Sequence, residues 1–138
     1  MIIDAKDLIL GRVGTVAAKK ALLGETIDIV NVEEIVITGS KNEIVARYKH
    51  KKDRGQPITG PFISTKEDRF VKRAIRGMLP YRQEKGLSAF KRIKCHIGVP
   101  EALKEKKSES LKMAHVSKMP NLKFMRVKEL CRLLGRNS

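Results

Sequence analysis

Residues 64–98 read STKEDRFVKRAIRGMLPYRQEKGLSAFKRIKCHIG, and the rest of the chain is organised around this stretch. At roughly 100° per residue, a helix from about Lys66 to Leu79 gathers Phe70, Val71, Ala74, Ile75, Met78 and Leu79 on one half of the wheel. Lys66, Arg69, Lys72, Arg73 and Arg76 fall on the other half, so one face can be buried and the other is a cationic ridge. Ser64 with Glu67, or Thr65 with Asp68, offers a capping box, with both acids where the helix dipole favours negative charge. Pro80 is expected to close the helix, because the residue before a proline is pushed out of helical dihedrals and the ring lacks a donor. Tyr81 onward is then expected to turn, with Gly86 as its flexible point. Arg82, Lys85, Lys91, Arg92 and Lys94 carry the positive charge through it. Arg92 to Ile97 alternates, with Ile93, Cys95 and Ile97 on one side, and predicts a strand ended by Gly98 and Pro100.

A basic helix face is often no more than a solvated surface. This one carries five cations with no exposed acid between them beyond the first turn, whereas faces kept for solubility mix both signs. Arginine outnumbers lysine on the ridge, which suits forked hydrogen bonding to phosphate. The ridge therefore points to an anionic partner.

The totals agree with that reading. The 138 residues carry 30 Lys and Arg against 15 Asp and Glu, a net charge of +15, and 41% are hydrophobic, enough for one domain with its own core over residues 1–138. Met1 to Ser40 holds 4 basic and 6 acidic residues, a net of −2, while the remainder holds 26 and 9, a net of +17. A neutral scaffold is joined to a polycation, and a charge of that size suits nucleic acid, where each neutralised phosphate releases condensed counterions. A membrane is the weaker partner: the sequence has no apolar run of about 18 residues, no signal-peptide pattern, no lipidation motif and no Trp. Cys95 and Cys131 sit in apolar-periodic settings outside any CxxC pair and read as reduced core residues of an intracellular protein rather than zinc ligands.

Toward the N-terminus, Met1 to Ile3 reads as a buried strand, Gly11 to Leu23 as a helix with Gly24 just past its end, and Thr26 to Val32 as a second strand. Together they form a βαβ unit, and Glu34 to Thr38 reads as a third strand. Gly11-Arg12-Val13-Gly14 lies where a dinucleotide loop would, but the GxGxxG spacing is missing, and Gly14 and Ala17 are explained by close packing of helix on sheet. Ser40 with Glu43 is expected to cap a further helix that turns Ile44, Val45 and Tyr48 inward and Arg47, Lys49, Lys51, Lys52 and Arg54 outward. Residues 55–63 hold two Gly and two Pro and make a loop between two basic helices, either a connector or a segment lying on a nucleic-acid backbone.

Beyond the central stretch, Pro100 to Lys107 is expected to start a short helix. Residues 104–119 are cationic and anchored only by Leu111, Met113, Val116 and Met119, so they are expected to order on a partner. Val127, Leu130, Cys131 and Leu134 then form an i, i+3, i+4, i+7 stripe on a terminal helix that should dock on the sheet.

Ile75-Arg76-Gly77-Met78-Leu79-Pro80, then Lys85-Gly86 and Ala89, Arg92-Ile93-Lys94 and Gly98-Val99-Pro100, form a long ordered string that resembles the universal ribosomal large-subunit protein thirteen family. Asp4-Ala5, Gly11-Arg12, Leu22-Leu23-Gly24, Val30-Asn31 and Ile37-Thr38-Gly39 extend the likeness less sharply, and Gly60-Pro61-Phe62 is similar to the archaeal and eukaryotic branch.

Residue patterns and resemblance together predict an α/β fold: three-layer α/β/α with a small, mostly parallel four-stranded sheet. The expected function is that of a structural constituent of the large ribosomal subunit, cytoplasmic in the ribosome, with no catalytic constellation, no cofactor, no metal and no small-molecule substrate. Its expected partners are large-subunit ribosomal RNA and neighbouring large-subunit ribosomal proteins. The resemblance further implies an early role in subunit assembly. The candidate RNA-binding residues are Lys49, Lys51, Lys52 and Arg54 on the first basic helix, Arg69, Lys72, Arg73 and Arg76 on the ridge, and Arg82, Lys85, Lys91 and Arg92 beyond Pro80. A nucleotide-binding enzyme built on the N-terminal strand–helix–strand unit is the alternative from another class, and a basic partner of an acidic protein is a third.

Overall fold

In the computed structural model, which describes residues 1–120 and 123–135, the chain opens with the expected strand–helix–strand unit. Residues 121, 122 and 136–138 of the expected 1–138 domain lie outside the described residues. β1 (Ile2–Asp4) and β2 (Ile27–Val30) pair in parallel with Ile3 opposite Ile29, and α1 (Leu10–Leu22) is the crossover that a parallel pair requires. The buried face of α1 is made of Val13, Gly14, Ala17, Ala18 and Ala21, small groups that let other elements approach closely. A Cβ on Gly14 would stand 2.8 Å from the sulfur of Met78. Gly24, at φ +101°, ends the helix in the left-handed region that glycine adopts without penalty.

β4 (Ile93–Cys95) pairs in parallel with the other side of β2, Ile27 facing Ile93, so the sheet order is β1-β2-β4. Ile3, Ile27, Ile29 and Ile93, which share one face of this sheet, are wholly buried, while on the other face Asp28 is half-buried and Lys94 exposed.

Of the four strands expected in one sheet, the third is elsewhere. β3 (Val36–Thr38) pairs antiparallel with β5 (Phe124–Arg126), Ile37 facing Met125, in a separate two-stranded ribbon. The cause lies just after β2, where Asn31 takes a left-handed backbone (φ +57°) and a 3₁₀ turn over Val32–Glu34 carries the chain away from the parallel sheet. An isolated parallel bridge between Ile9 and Val36 keeps the ribbon beside the start of α1. On the outer side of β1, Glu109 is bridged to Ile3, donating its N–H to the Ile2 carbonyl at 2.8 Å and accepting from the Asp4 N–H at 3.0 Å.

The remaining helices are α2 (Lys41–Asp53), α3 (Glu67–Arg76), α4 (Glu84–Arg92), α5 (Glu101–Lys104) and α6 (Val127–Leu133). α1 packs against α3 and α4, α3 also against β4, and α6 against β5 and α3. The stripe Val127, Leu130, Cys131 and Leu134 is buried as its spacing requires.

Around the central stretch the structure corrects several expectations. Lys66 is the N-cap residue of α3, and neither capping box forms. Ser64 Oγ accepts from the Lys66 N–H, Asp68 from the Arg69 N–H, and Glu67 is turned into the interior, only 1% exposed. Ser40 likewise makes no side-chain cap to α2. The helix ends at Arg76, one turn before Pro80. The proline acts upstream: Leu79 cannot be helical before it, and the last turn tightens to i→i+3 bonds, Met78 N–H to Ile75 at 2.9 Å and Leu79 N–H to Arg76 at 3.1 Å. That turn buries Leu79 but leaves Met78 41% exposed, so Met78 is not part of the buried stripe. Residues 84–92 are helix rather than turn, and Gly86 is no flexible point, since a Cβ there would stand 1.9 Å from the Pro80 carbonyl oxygen. The predicted strand shortens to β4 because Ile97 emerges 46% exposed and Gly98 (φ +68°) turns the chain.

Candidate nucleic-acid interface

α3 separates its residues by face as the periodicity requires. Phe70, Val71 and Ile75 are buried, Ala74 is half-buried, Arg69 and Arg73 are exposed, and Lys72 and Arg76 are half-exposed. Lys72 Nζ lies 4.7 Å from the centroid of the Phe90 ring on α4, and the Arg76 guanidinium lies 4.7 Å from that of Tyr81. Arg82 approaches Tyr81 at 6.0 Å, so the two arginines bracket the first residue after Pro80. Cations over ring faces keep their charge while their stems are held.

The C-terminal half of α2 lies beside α3 through Tyr48, whose ring centroid is 5.1 Å from that of Phe70. Lys51 Nζ is 5.0 Å from the Tyr48 ring centroid, and Lys49 is exposed. The loop between the helices is a small hairpin: Gln56 and Gly60 exchange backbone hydrogen bonds of 3.3 and 3.0 Å, and the Gly60–Pro61 peptide is cis. Its tip projects Ile58, 91% exposed, and beyond the closing pair Phe62 is 64% exposed. Arg73 Nη1 donates to the Phe62 carbonyl at 2.5 Å, holding the loop against α3.

Beside Arg73, two more of the twelve candidate cations also serve the scaffold. Arg92 Nη1 donates to the Ala21 carbonyl at 2.9 Å, and Lys52 Nζ donates to the Leu134 carbonyl, each meeting a backbone oxygen at the end of a helix, where cations are favoured. Lys85 and Lys91 are exposed on α4, and Arg54 stands at the end of α2. The ion pairs seen among the described residues join Lys41 to Glu129 and Arg126 to Asp7 and Glu34, and His96 lies within hydrogen-bond distance of Asp28. None of these pairs uses a candidate cation. Sequence reasoning missed the Arg126 cluster, in which one guanidinium reaches Asp7 at 2.7 Å and Glu34 at 3.1 Å and ties β5 to the start of the chain. Nothing in residue spacing brings those positions together.

A second basic recess is formed by Arg69, Lys72, Lys94 and His96, with Asp68 and Cys95. His96 Nε2 is 3.0 Å from Asp28 Oδ1. Burial pushes the Cys95 thiol up to about 12, against a lowering by Lys72 and a further rise from Asp68, so it stays protonated at neutral pH. Among the described residues no group of three or more His, Cys, Asp or Glu could hold a metal ion, and no helix is long and apolar enough to cross a membrane.

At the N-terminus of α1, Arg12 Nη1 donates to the Met113 carbonyl at 2.8 Å, and Gly14 is fitted against Met78. Both glycine-loop features thus have packing roles.

Comparison with known proteins agrees with this geometry. A family model described as Ribosomal protein L13 matches residues 1–102. The large ribosomal subunit protein uL13 of Archaeoglobus fulgidus is 40% identical over 135 residues, 97% of this chain and 86% of that protein. The protein of the same name from Methanopyrus kandleri is 38% identical over 136 residues, 97% of this chain and 86% of its own length. That of Methanosarcina barkeri is 38% identical over 135 residues, covering 97% and 96%.

Proposed function

The chain belongs to the ribosomal protein L13 family, and from that membership and its cationic face we propose that it is a structural constituent of the large ribosomal subunit, bound to ribosomal RNA. The observation that carries the RNA contact is the ridge of α3, whose Arg69, Arg73 and Arg76 are presented by a helix that buries Phe70, Val71 and Ile75 on its opposite face. A rigid helix holding forked guanidinium groups gives directed phosphate contacts, and RNA duplexes are read by shape, phosphate and 2′-hydroxyl. Lys49, Lys51 and Arg54 on the α2 side, and Arg82, Lys85 and Lys91 beyond the turn, extend that surface. Lys52 and Arg92 contribute charge while fastening helix ends. In this reading the chain works as one domain, supported by a continuous core from Ile3 to Leu134. It resides in the cytoplasm within the subunit, beside neighbouring ribosomal proteins, and joins early in assembly. Residues 104–119 hold their backbone on the scaffold through Glu109, Ala114 and Val116, while Lys104, Lys106, Lys107, Lys112 and Lys118 stay exposed and settle on RNA.

The competing nucleotide enzyme is disfavoured by the packing roles of Arg12 and Gly14. The test is the salt dependence of binding to large-subunit ribosomal RNA. Log affinity should fall by about 0.7 to 0.9 per phosphate neutralised for each tenfold rise in salt. An affinity that stays flat as salt rises several-fold, or equal binding to an acidic protein, overturns the reading.

A further inference from the structure

Between α2, the hairpin loop and α3 lies a cleft of about 440 Å³, within the size range of small-molecule sites. Its apolar wall includes Tyr48, Pro61 and Phe70, and its cations are Lys51, Arg54 and Arg73; among the described residues no carboxylate lines it. The loop side is fixed in shape. Gly55 and Gly60 adopt φ of +88° and +81°, and a Cβ on Gly55 would stand 1.9 Å from the Gly60 carbonyl oxygen. The Gln56–Gly60 pair closes the hairpin, and Arg73 ties its far end to α3.

A duplex backbone is convex and meets a ridge; it does not enter a recess. A recess with an aromatic wall and cations around it fits a group that is flat and apolar on one side and anionic on the other. An unstacked nucleotide is such a group, and single-stranded RNA positions are recognised by stacking splayed bases on aromatic side chains. We propose that this cleft receives one unpaired nucleotide of the large-subunit ribosomal RNA, its base against Tyr48, Pro61 and Phe70 and its phosphate among Lys51, Arg54 and Arg73. The inference rests on the RNA-binding reading above and adds a single-nucleotide site to it.

The test fills the cleft without removing charge. Ala74 and Gly77 both line it, and Gly77 has a φ of −64° that any residue can adopt. Ala74→Leu and Gly77→Leu are each measured against two probes, a full-length large-subunit ribosomal RNA transcript and a perfectly paired RNA duplex. The expected result is a loss of about tenfold or more on the transcript with duplex binding unchanged, the latter also reporting that the variants fold. Undiminished transcript binding by either folded variant, or equal losses on both probes, overturns the nucleotide site and leaves the ridge as the interface. A parent protein that binds neither probe overturns the RNA-binding reading itself.

Discussion

Arg73 on α3 donates to the carbonyl of Phe62, so a residue of the cationic ridge is also the tie that holds the preceding loop. Arg76, one turn on, instead lies over Tyr81. The two arginines should therefore behave alike toward RNA and differently toward the loop. Arg73→Ala and Arg76→Ala should each weaken RNA binding by about tenfold, with folding stability held within about 0.5 kcal/mol. Only Arg73→Ala should speed protease cleavage within residues 55–63, and equal cleavage rates in the two variants would contradict the tie.

Gly86 faces the backbone of Pro80 with no room for a methyl group. Gly86→Ala should destabilise by about 1 to 3 kcal/mol or more, even though alanine is the better helix former, because backbone must shift to admit it. Urea unfolding would decide this; a neutral or stabilising result would mean that α4 sits farther from the proline turn.

Ile75 and Met78 separate the buried helix from the turn that follows. Ile75→Ala removes a wholly buried side chain and should cost about 2 to 5 kcal/mol. Met78→Ala should cost nearer 1 kcal/mol, since Met78 is partly in solvent and only its tip fits over Gly14. Comparable losses in thermal unfolding would place Met78 back in the core.

Cys95 gives a pH signature. Its folded pKa is raised above the ordinary 9.0, so its contribution is fully present below pH 9 and is lost as the pH rises toward about 12, where the unfolded chain is already ionised. Stability measured across that window should fall less steeply in Cys95→Ala than in the parent. Identical slopes would show that the thiol is not kept protonated by folding.

Residues 104–119 should become more resistant to trypsin when RNA binds, with the largest change at Lys104, Lys106 and Lys107, which precede the first backbone tie at Glu109. Equal protection in free and bound protein would remove this segment from the interface.

The parts of the fold that were legible in the sequence are those set by local periodicity. The faces of α1, α3 and α6 follow from spacing alone, and Gly24 marks its helix end because a left-handed residue is needed there. Where partners distant in sequence decide the outcome, residue types misled. Gly86 looked like a hinge but serves a close approach, and Glu67 looked like a cap but is buried. β5 had a readable signal, Met125 and Val127 buried in alternation with half-buried Phe124 and Arg126, but three residues are too few to stand out from the cationic run before them. The cationic ridge was legible because charge and helical period coincide in one short stretch. The cleft beside it was not, because its walls come from two helices and a hairpin.

The backbone of Glu109 closes the outer side of β1. An open strand edge invites pairing with a second chain. Because the closing residue comes from the last third of the sequence, a growing chain that has already formed β1, α1 and β2 exposes that edge until residue 109 emerges. The sheet edge is thus closed only late in synthesis, and shortening the chain before Glu109 would leave the three parallel strands in place with that edge open to pairing.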